Sequence, residues 1–219
     1  RSIRTIIFWG TKDSMWKEAL LATRRDAADK QPDQVKNALI VPLNRFKAMR
    51  FREQYEETKV PDIRAKRTVF SQLFRKLYKQ TPEFYRVDEQ VRAFLVEFRG
   101  EGGEDVGGLY REAFTLICND LQSPLLTMFI PTPNARAEAG QNRDAWLPNP
   151  DATQPLEIAM FELLGKMMGL ALRSKNPLSL KLPEIVWKAL TRDEITENSI
   201  LGVDVTAFNH VKEILEWEV

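Results

Sequence analysis

The stretch from Leu156 to Arg173 limits what this chain can fold into more than any other. It has the length of a helix and carries apolar residues on nearly every side: Leu156, Ile158, Phe161, Leu163, Leu164, Met167, Met168, Leu170 and Leu172. A surface helix keeps one polar face, so a helix this apolar is expected to be central and buried. Gly165 and Gly169, four residues apart, are expected to let another backbone approach closely. A transmembrane dimer motif is the competing reading of that pair. The stretch is shorter than the roughly 20 apolar residues a span needs, and Glu162 and Lys166 interrupt it.

Around that helix the rest of the chain reads as alternating helices and short strands. Thr11 to Lys30 has a helical pattern, with Asp13 or Ser14 as N-cap, Trp16, Leu20 and Thr23 on one side, and Pro32 as its end. After Pro42, Leu43, Phe46 and Met49 recur at helical spacing, and the polar stretch Glu53 to Asp62 reads as a loop. Val69, Phe70, Leu73, Phe74, Leu77 and Tyr78 form one face of a clearly amphipathic helix. Arg92 to Arg99 alternates as a strand with Phe94, Val96 and Phe98 on one face. A helix over 109–121 follows, then strands at 125–130 and 144–147 separated by a turn-rich excursion. Pro183 opens a helix through Leu190, and Asp204 or Thr206 caps a last helix bearing Phe208, Val211 and Leu215. The expected class is α+β, mainly α-helical with a small antiparallel sheet.

Composition restricts the functional classes. The 219 residues are 43% hydrophobic and 29% charged, the profile of one or two soluble domains able to bury a core. The opening Arg1-Ser2-Ile3-Arg4 lacks the apolar region of a secretory signal, and a single cysteine, Cys118, excludes an internal disulfide. A cytoplasmic or nuclear setting is expected. Residues 1–92 hold 21 Lys/Arg against 12 Asp/Glu, and residues 93–219 hold 11 against 19. A basic half invites nucleic acid, but its charges are spread along amphipathic helices without an RNA-binding or zinc-finger signature, which argues against that partner.

Three candidates for chemistry can be weighed. Five of the ten glycines fall within Gly100 to Gly108, between a strand and a helix. A phosphate loop would use such glycines, but Glu101, Glu104 and Asp105 would repel the anion and neither Gly-x4-Gly-Lys nor Gly-x-Gly-x-x-Gly is present. The stretch reads as a structural junction, with positive φ angles and Asp105 capping the next helix. Cys118 lies in mid-helix and reads as a buried structural thiol. The only histidine, His210, lies far along the chain on another helix. The excursion carrying Arg136, Glu138, Arg143 and Asp144 reads as a connection held by arginine–carboxylate pairs. No catalytic residue, metal site or cofactor site is expected.

Taken in order, the pieces resemble one family. They are Arg67-Thr-Val-Phe-Ser-Gln-Leu-Phe, Phe94-Leu-Val-Glu-Phe-Arg-Gly-Glu, Glu104-Asp-Val-Gly-Gly-Leu-Tyr-Arg-Glu-Ala-Phe114 and Phe161-Glu-Leu-Leu-Gly-Lys-Met-Met-Gly-Leu-Ala-Leu172. They follow the order of the N-lobe of HECT ubiquitin ligases. Leu43-Asn44-Arg45, Pro133-Asn134, Asn142-Arg143-Asp144, Arg173-Ser-Lys-Asn-Pro-Leu and Leu182-Pro-Glu-Ile-Val-Trp-Lys188 make the HERC-type members the nearest likeness. The resemblance covers about residues 40 to 219. It implies residues 1–40 as a preceding helical element and 41–219 as the large subdomain of the N-lobe, stopping before the E2-binding subdomain and C-lobe. The absence of a polar tail after Trp217-Glu218-Val219 reads as a cut. The residues carried over as structural family motifs are Asp105, Gly107, Gly108, Arg111, Glu112, Arg143, Asp144, Phe161, Gly165 and Gly169. The implied activity is transfer of ubiquitin from an E2 through a cysteine thioester to a substrate lysine. That nucleophile is expected on the later lobe, leaving this chain inactive alone, with ubiquitin-loaded E2, ubiquitin and protein substrates as partners. The ubiquitin-binding surface of the Nedd-type branch uses aromatic residues where this chain has Ser123-Pro124-Leu125, and is not carried over. A non-catalytic helical interaction scaffold is the alternative.

Overall fold

The computed structural model describes residues 7–24, 39–87, 91–101 and 108–217. In order these form α1 (Trp9–Ala22), β1 (Ile40–Leu43), α2 (Arg45–Thr58), α3 (Val69–Leu77), a 3-10 turn (Pro82–Tyr85), β2 (Leu95–Phe98), α4 (Gly108–Leu121) and β3 (Phe129–Pro131). A one-turn α5 (Pro133–Arg136), β4 (Trp146–Pro148), α6 (Pro155–Ser174), α7 (Glu184–Thr191), α8 (Glu197–Leu201) and α9 (Val205–Trp217) complete it. The fold is α+β and mainly helical, with the expected small antiparallel sheet formed by β3 and β4.

The first strand pair departs from expectation. β2 does not join that sheet. It pairs in parallel with β1, Val41 opposite Val96 and Leu43 opposite Phe98. Residues 40–43, read as the approach to a helix, are a strand whose Val41 and Leu43 are fully buried. Pro42, which can give no ladder N–H, is tolerated because, among the described residues, its strand has a partner on one side alone. The first part of the polar stretch, Glu53 to Thr58, is likewise helix and not loop, since α2 runs on to Thr58 with Phe51 as its one buried residue, and only 59–62 is irregular as expected. Its Glu and Gln residues favour helix, and Asn44 caps it by accepting the Lys47 N–H at 2.7 Å.

The core lies between β1–β2, α3, α4 and α6. Val69, Phe70, Leu73, Phe74 and Leu77 of α3 cluster with Val41, Val96 and Phe98 of the strands, Phe94 just before β2, Phe114 and Ile117 of α4, and Leu163, Met167 and Leu170 of α6. Phe94 and Tyr110 have ring centroids 5.2 Å apart, and Tyr110 and Phe114 4.7 Å, spacings at which aromatic pairs add to their burial. Lys166 of α6 donates to the Gln80 carbonyl at 2.9 Å, covering the C-terminal end of α3.

α6 is central, but these residues cover only part of it. Ile158 is 47% and Leu172 62% exposed. The expectation for Gly165 and Gly169 is corrected: a Cβ built on either meets no atom within 4 Å, so no backbone is packed there among the described residues. α1 also differs. It starts at Trp9 with no side-chain cap, and Ser14 donates back to the Gly10 carbonyl at 3.1 Å instead of capping. It buries no residue, and Arg173 of α6 donates to its Leu20 carbonyl at 3.0 Å. The stretch 25–30 and Pro32 lie outside the described residues.

Candidate functional site

The glycine junction is braced by one arginine. Arg45, in the first turn of α2, donates to Glu101 just after β2 and to Glu112 in the first turns of α4, and its guanidinium lies 5.1 Å from the Phe98 ring centroid. One side chain thus fixes the exit of the strand to the entry of the helix. Gly100 adopts φ +86, a conformation that favours glycine. Gly108 has no positive φ, and its Cβ position is open, so neither reason requires a glycine there. Asp105 and Gly107 lie outside the described residues. Arg111 is exposed on α4, and its carbonyl accepts the Thr115 hydroxyl at 3.2 Å. The three charged side chains of the brace are 24 to 43% exposed, so solvent screens them. Arg45→Gln is therefore expected to cost about 1 to 2 kcal/mol in urea unfolding, with a smaller loss in 1 M salt, where the parent's ion pairs are already weakened.

Next to the junction, Asp120 near the end of α4 serves α3. Its Oδ2 accepts the Phe70 N–H at 3.1 Å and its Oδ1 the Arg52 guanidinium at 3.3 Å. Phe70 is one of the first residues of α3, whose N–H groups have no partner within the helix. Thr68 accepts the Ser71 N–H at 3.1 Å, and Asp62 accepts those of Lys66, Arg67 and Thr68 at 2.9, 2.6 and 3.2 Å. The entry of α3 is thus held by three side chains, one of them from another helix. Burial lifts the Asp120 carboxyl to about 6, against the opposing pull of the Phe70 N–H and Arg52.

A second polar centre ties the β3–β4 connection to the C-terminal helices. Asn134, 1% exposed, accepts the Val205 N–H at 2.8 Å and donates to the carbonyls of Gln141 at 3.0 Å and Leu201 at 3.2 Å. Asn142 donates to the Gly202 carbonyl at 2.7 Å, and the Thr132 hydroxyl to the Asn142 carbonyl at 2.9 Å. The arginine–carboxylate pairing expected for this segment is replaced by these amide bonds. Arg143 reaches the backbone carbonyl of Glu138, at 3.4 Å, and Asp144 pairs with Lys181 at 2.8 Å, a partner that holds its carboxyl below the usual range. Asp204 caps α9 by accepting the Ala207 N–H at 2.9 Å. Phe161 lies edge-on to Phe129, centroids 5.6 Å apart.

None of this resembles a reaction centre. Cys118 is buried, and burial pushes its thiol up to about 11, away from the thiolate that acts as a nucleophile. His210 is exposed on α9. Among the described residues no three His, Cys, Asp or Glu side chains group as metal ligands, and no helix is long and apolar enough to cross a membrane. What the arrangement does is hold helix ends at fixed angles. Arg52 and Asp120 were missed by sequence reasoning, and Arg45 was visible only within the Leu43-Asn44-Arg45 step, because their partners lie about 50 to 70 positions away and no local pattern marks them. Asn134 was visible only as part of a motif.

Comparison with known proteins adds an independent line. The model of the HECT-domain (ubiquitin-transferase) family matches residues 115–219. The chain is 34% identical over 203 residues to the E3 ubiquitin-protein ligase HERC2 of Mus musculus and to that of Homo sapiens, 93% of this chain but 4% of either relative. It is 23% identical over 151 residues to the E3 ubiquitin-protein ligase RSP5 of Saccharomyces cerevisiae, 69% of this chain and 17% of that protein.

Proposed function

Since the chain belongs to the HECT family and is HERC-like, we propose that it is the N-lobe platform, about residues 41–219, of a ubiquitin ligase. The nucleophilic cysteine of that ligase lies outside these 219 residues. In the proposed reaction that cysteine attacks the carbonyl of the thioester joining ubiquitin to an E2. The E2 thiolate leaves, and a new thioester forms on the ligase. A substrate lysine amine then attacks that carbonyl, forming an isopeptide bond and releasing the ligase thiol. The platform's contribution is positional: rigid elements hold partners so that two thioester centres meet.

The observation that carries this reading is the state of Cys118, whose thiol is enclosed in the core and raised to about 11. A thioester centre has to be exposed and readily ionised, so the platform and the nucleophile are assigned to different parts of one protein. The test is to mix the full-length protein with a ubiquitin-charged E2 and look on a non-reducing gel for a ubiquitin adduct that dithiothreitol removes. The adduct is expected in the parent and, at similar yield, in Cys118→Ala. Its absence from the parent would favour the non-catalytic scaffold, and its loss in Cys118→Ala would make Cys118 the nucleophile.

A further inference from the structure

Two cavities share one wall, and a buried carboxylate holds that wall in place. The larger, about 400 Å³, lies between the second half of α2 and the loop after α4, reaching Leu125 and Lys181. The smaller, about 250 Å³, lies between the first half of α2 and Leu116 of α4. Arg52 lines both, and Asp120 lines the smaller. The two partners are held very differently. The Asp120 side chain is 3% exposed and anchored by the Phe70 N–H, whereas that of Arg52 is 52% exposed and reaches Asp120 through a single 3.3 Å contact. α2 buries only Phe51, so Arg52 can swing outward without disturbing the core.

We propose that the Arg52–Asp120 pair is a proton-controlled partition: paired, it separates the two cavities, and when Asp120 takes up a proton Arg52 is released and the cavities join into one cleft along α2. Arg52 of α2 is the charged group in contact with the carboxylate. On the other side of Arg52, Glu56 of α2, with Asp144 and Lys181 paired to each other, lines the larger cavity into which Arg52 would swing. α3 presents the N–H groups of Phe70 and Val69, and α4 adds the neutral Leu116 and Asn119. Arg45, at the other end of the smaller cavity, is engaged by Glu101 and Glu112. Protonation removes the ion pair but not the helix cap, because the carbonyl oxygen of a neutral carboxyl still accepts the Phe70 N–H. The start of α3 therefore stays in place while the arginine moves. Burial places the proton uptake near pH 6.

The 219-residue chain, labelled for NMR, can be titrated from pH 7.5 to 4.5. The Phe70 amide reports on Asp120, a Leu116 methyl on the smaller cavity and a Leu125 methyl on the larger. The proposal expects all three to shift together with a midpoint near pH 6, and Asp120→Asn to abolish the transition in all three. In Arg52→Gln, an exposed change, Phe70 should titrate with a higher midpoint while the Leu125 methyl no longer follows. A parent in which Phe70 titrates alone, a Phe70 midpoint below about 4.5, or a transition that persists in Asp120→Asn would each overturn it.

Discussion

Asn134→Ala is expected to lower stability by about 2 to 4 kcal/mol, because three part-buried backbone groups lose their partner at once, each bond being worth about 1 kcal/mol. The Val205 N–H and the Gln141 and Leu201 carbonyls all bond to this one amide. For a chain of this size the loss is a fall of roughly 10 °C in Tm. Asn134→Asp should be about as harmful: it keeps an acceptor for Val205 but sets a carboxylate oxygen against two carbonyls. Gly140 offers a cross-check. Its φ is +65, and an added Cβ would lie 2.8 Å from Asn134 Nδ2. Gly140→Ala alone should therefore destabilise, while the double variant should lose less than the sum, since the clashing amide is gone. Urea unfolding of the four proteins measures this cycle. A cost below about 1 kcal/mol for Asn134→Ala, or strict additivity, would sink the claim that this amide joins the connection to α9.

The second large effect is a pH dependence whose direction is unusual for a carboxylate beside an arginine. Asp120 has its carboxyl near 6 in the native chain against an ordinary value of 3.8, so the folded state binds the proton more tightly than the unfolded one. Stability contributed by the protonated form is fully present below about pH 4 and is lost as pH rises to about 6. That loss amounts to about 3 kcal/mol by linkage. Asp120→Asn keeps an acceptor for Phe70 and carries no charge. Relative to the parent it should lack this slope and be more stable at pH 7 by about 1 to 2 kcal/mol, less than the full amount because the bond to Arg52 is weakened. Asp120→Leu has no acceptor and strands the Phe70 N–H, so it should be less stable than Asp120→Asn at every pH by about 1 to 3 kcal/mol. Denaturation midpoints at half-unit steps between pH 4 and 8 decide the matter. An Asp120→Asn curve parallel to the parent's would show that the slope comes from other groups.

These two centres mark where the sequence stopped being legible. α3, α4 and α6 could be read because each carries its apolar pattern within a single helix, and β2 because Phe94, Val96 and Phe98 alternate. β1 could not, since four residues containing a proline, followed by Phe46 and Met49 at helical spacing, look like the start of a helix. The end of α2 looked like a loop because periodicity detects burial, and a solvated helix has little of it. The glycines of α6 invited a packed neighbour, but spacing alone does not say which face is covered. Asp120 carried no signal, as the N–H it serves lies 50 positions earlier. The HECT resemblance was legible as an order of segments, and an order reports common descent better than it reports which side chains touch.

The parallel pairing of β1 with β2 bears on the order in which the chain assembles. Ile40 stands opposite Leu95, 55 positions on, and the ladder has four residue pairs. Closing a loop of that size costs about 3.5 kcal/mol in chain entropy before any pair forms. Four pairs repay that only once α3 and α4 already supply the surface that buries Val41 and Leu43. In pulse-labelled refolding, the amides of Val41 and Leu43 should gain protection after those of Leu163 and Met167 in α6. The core is then closed from the middle of the chain outward, and residues 40–43 seal it last.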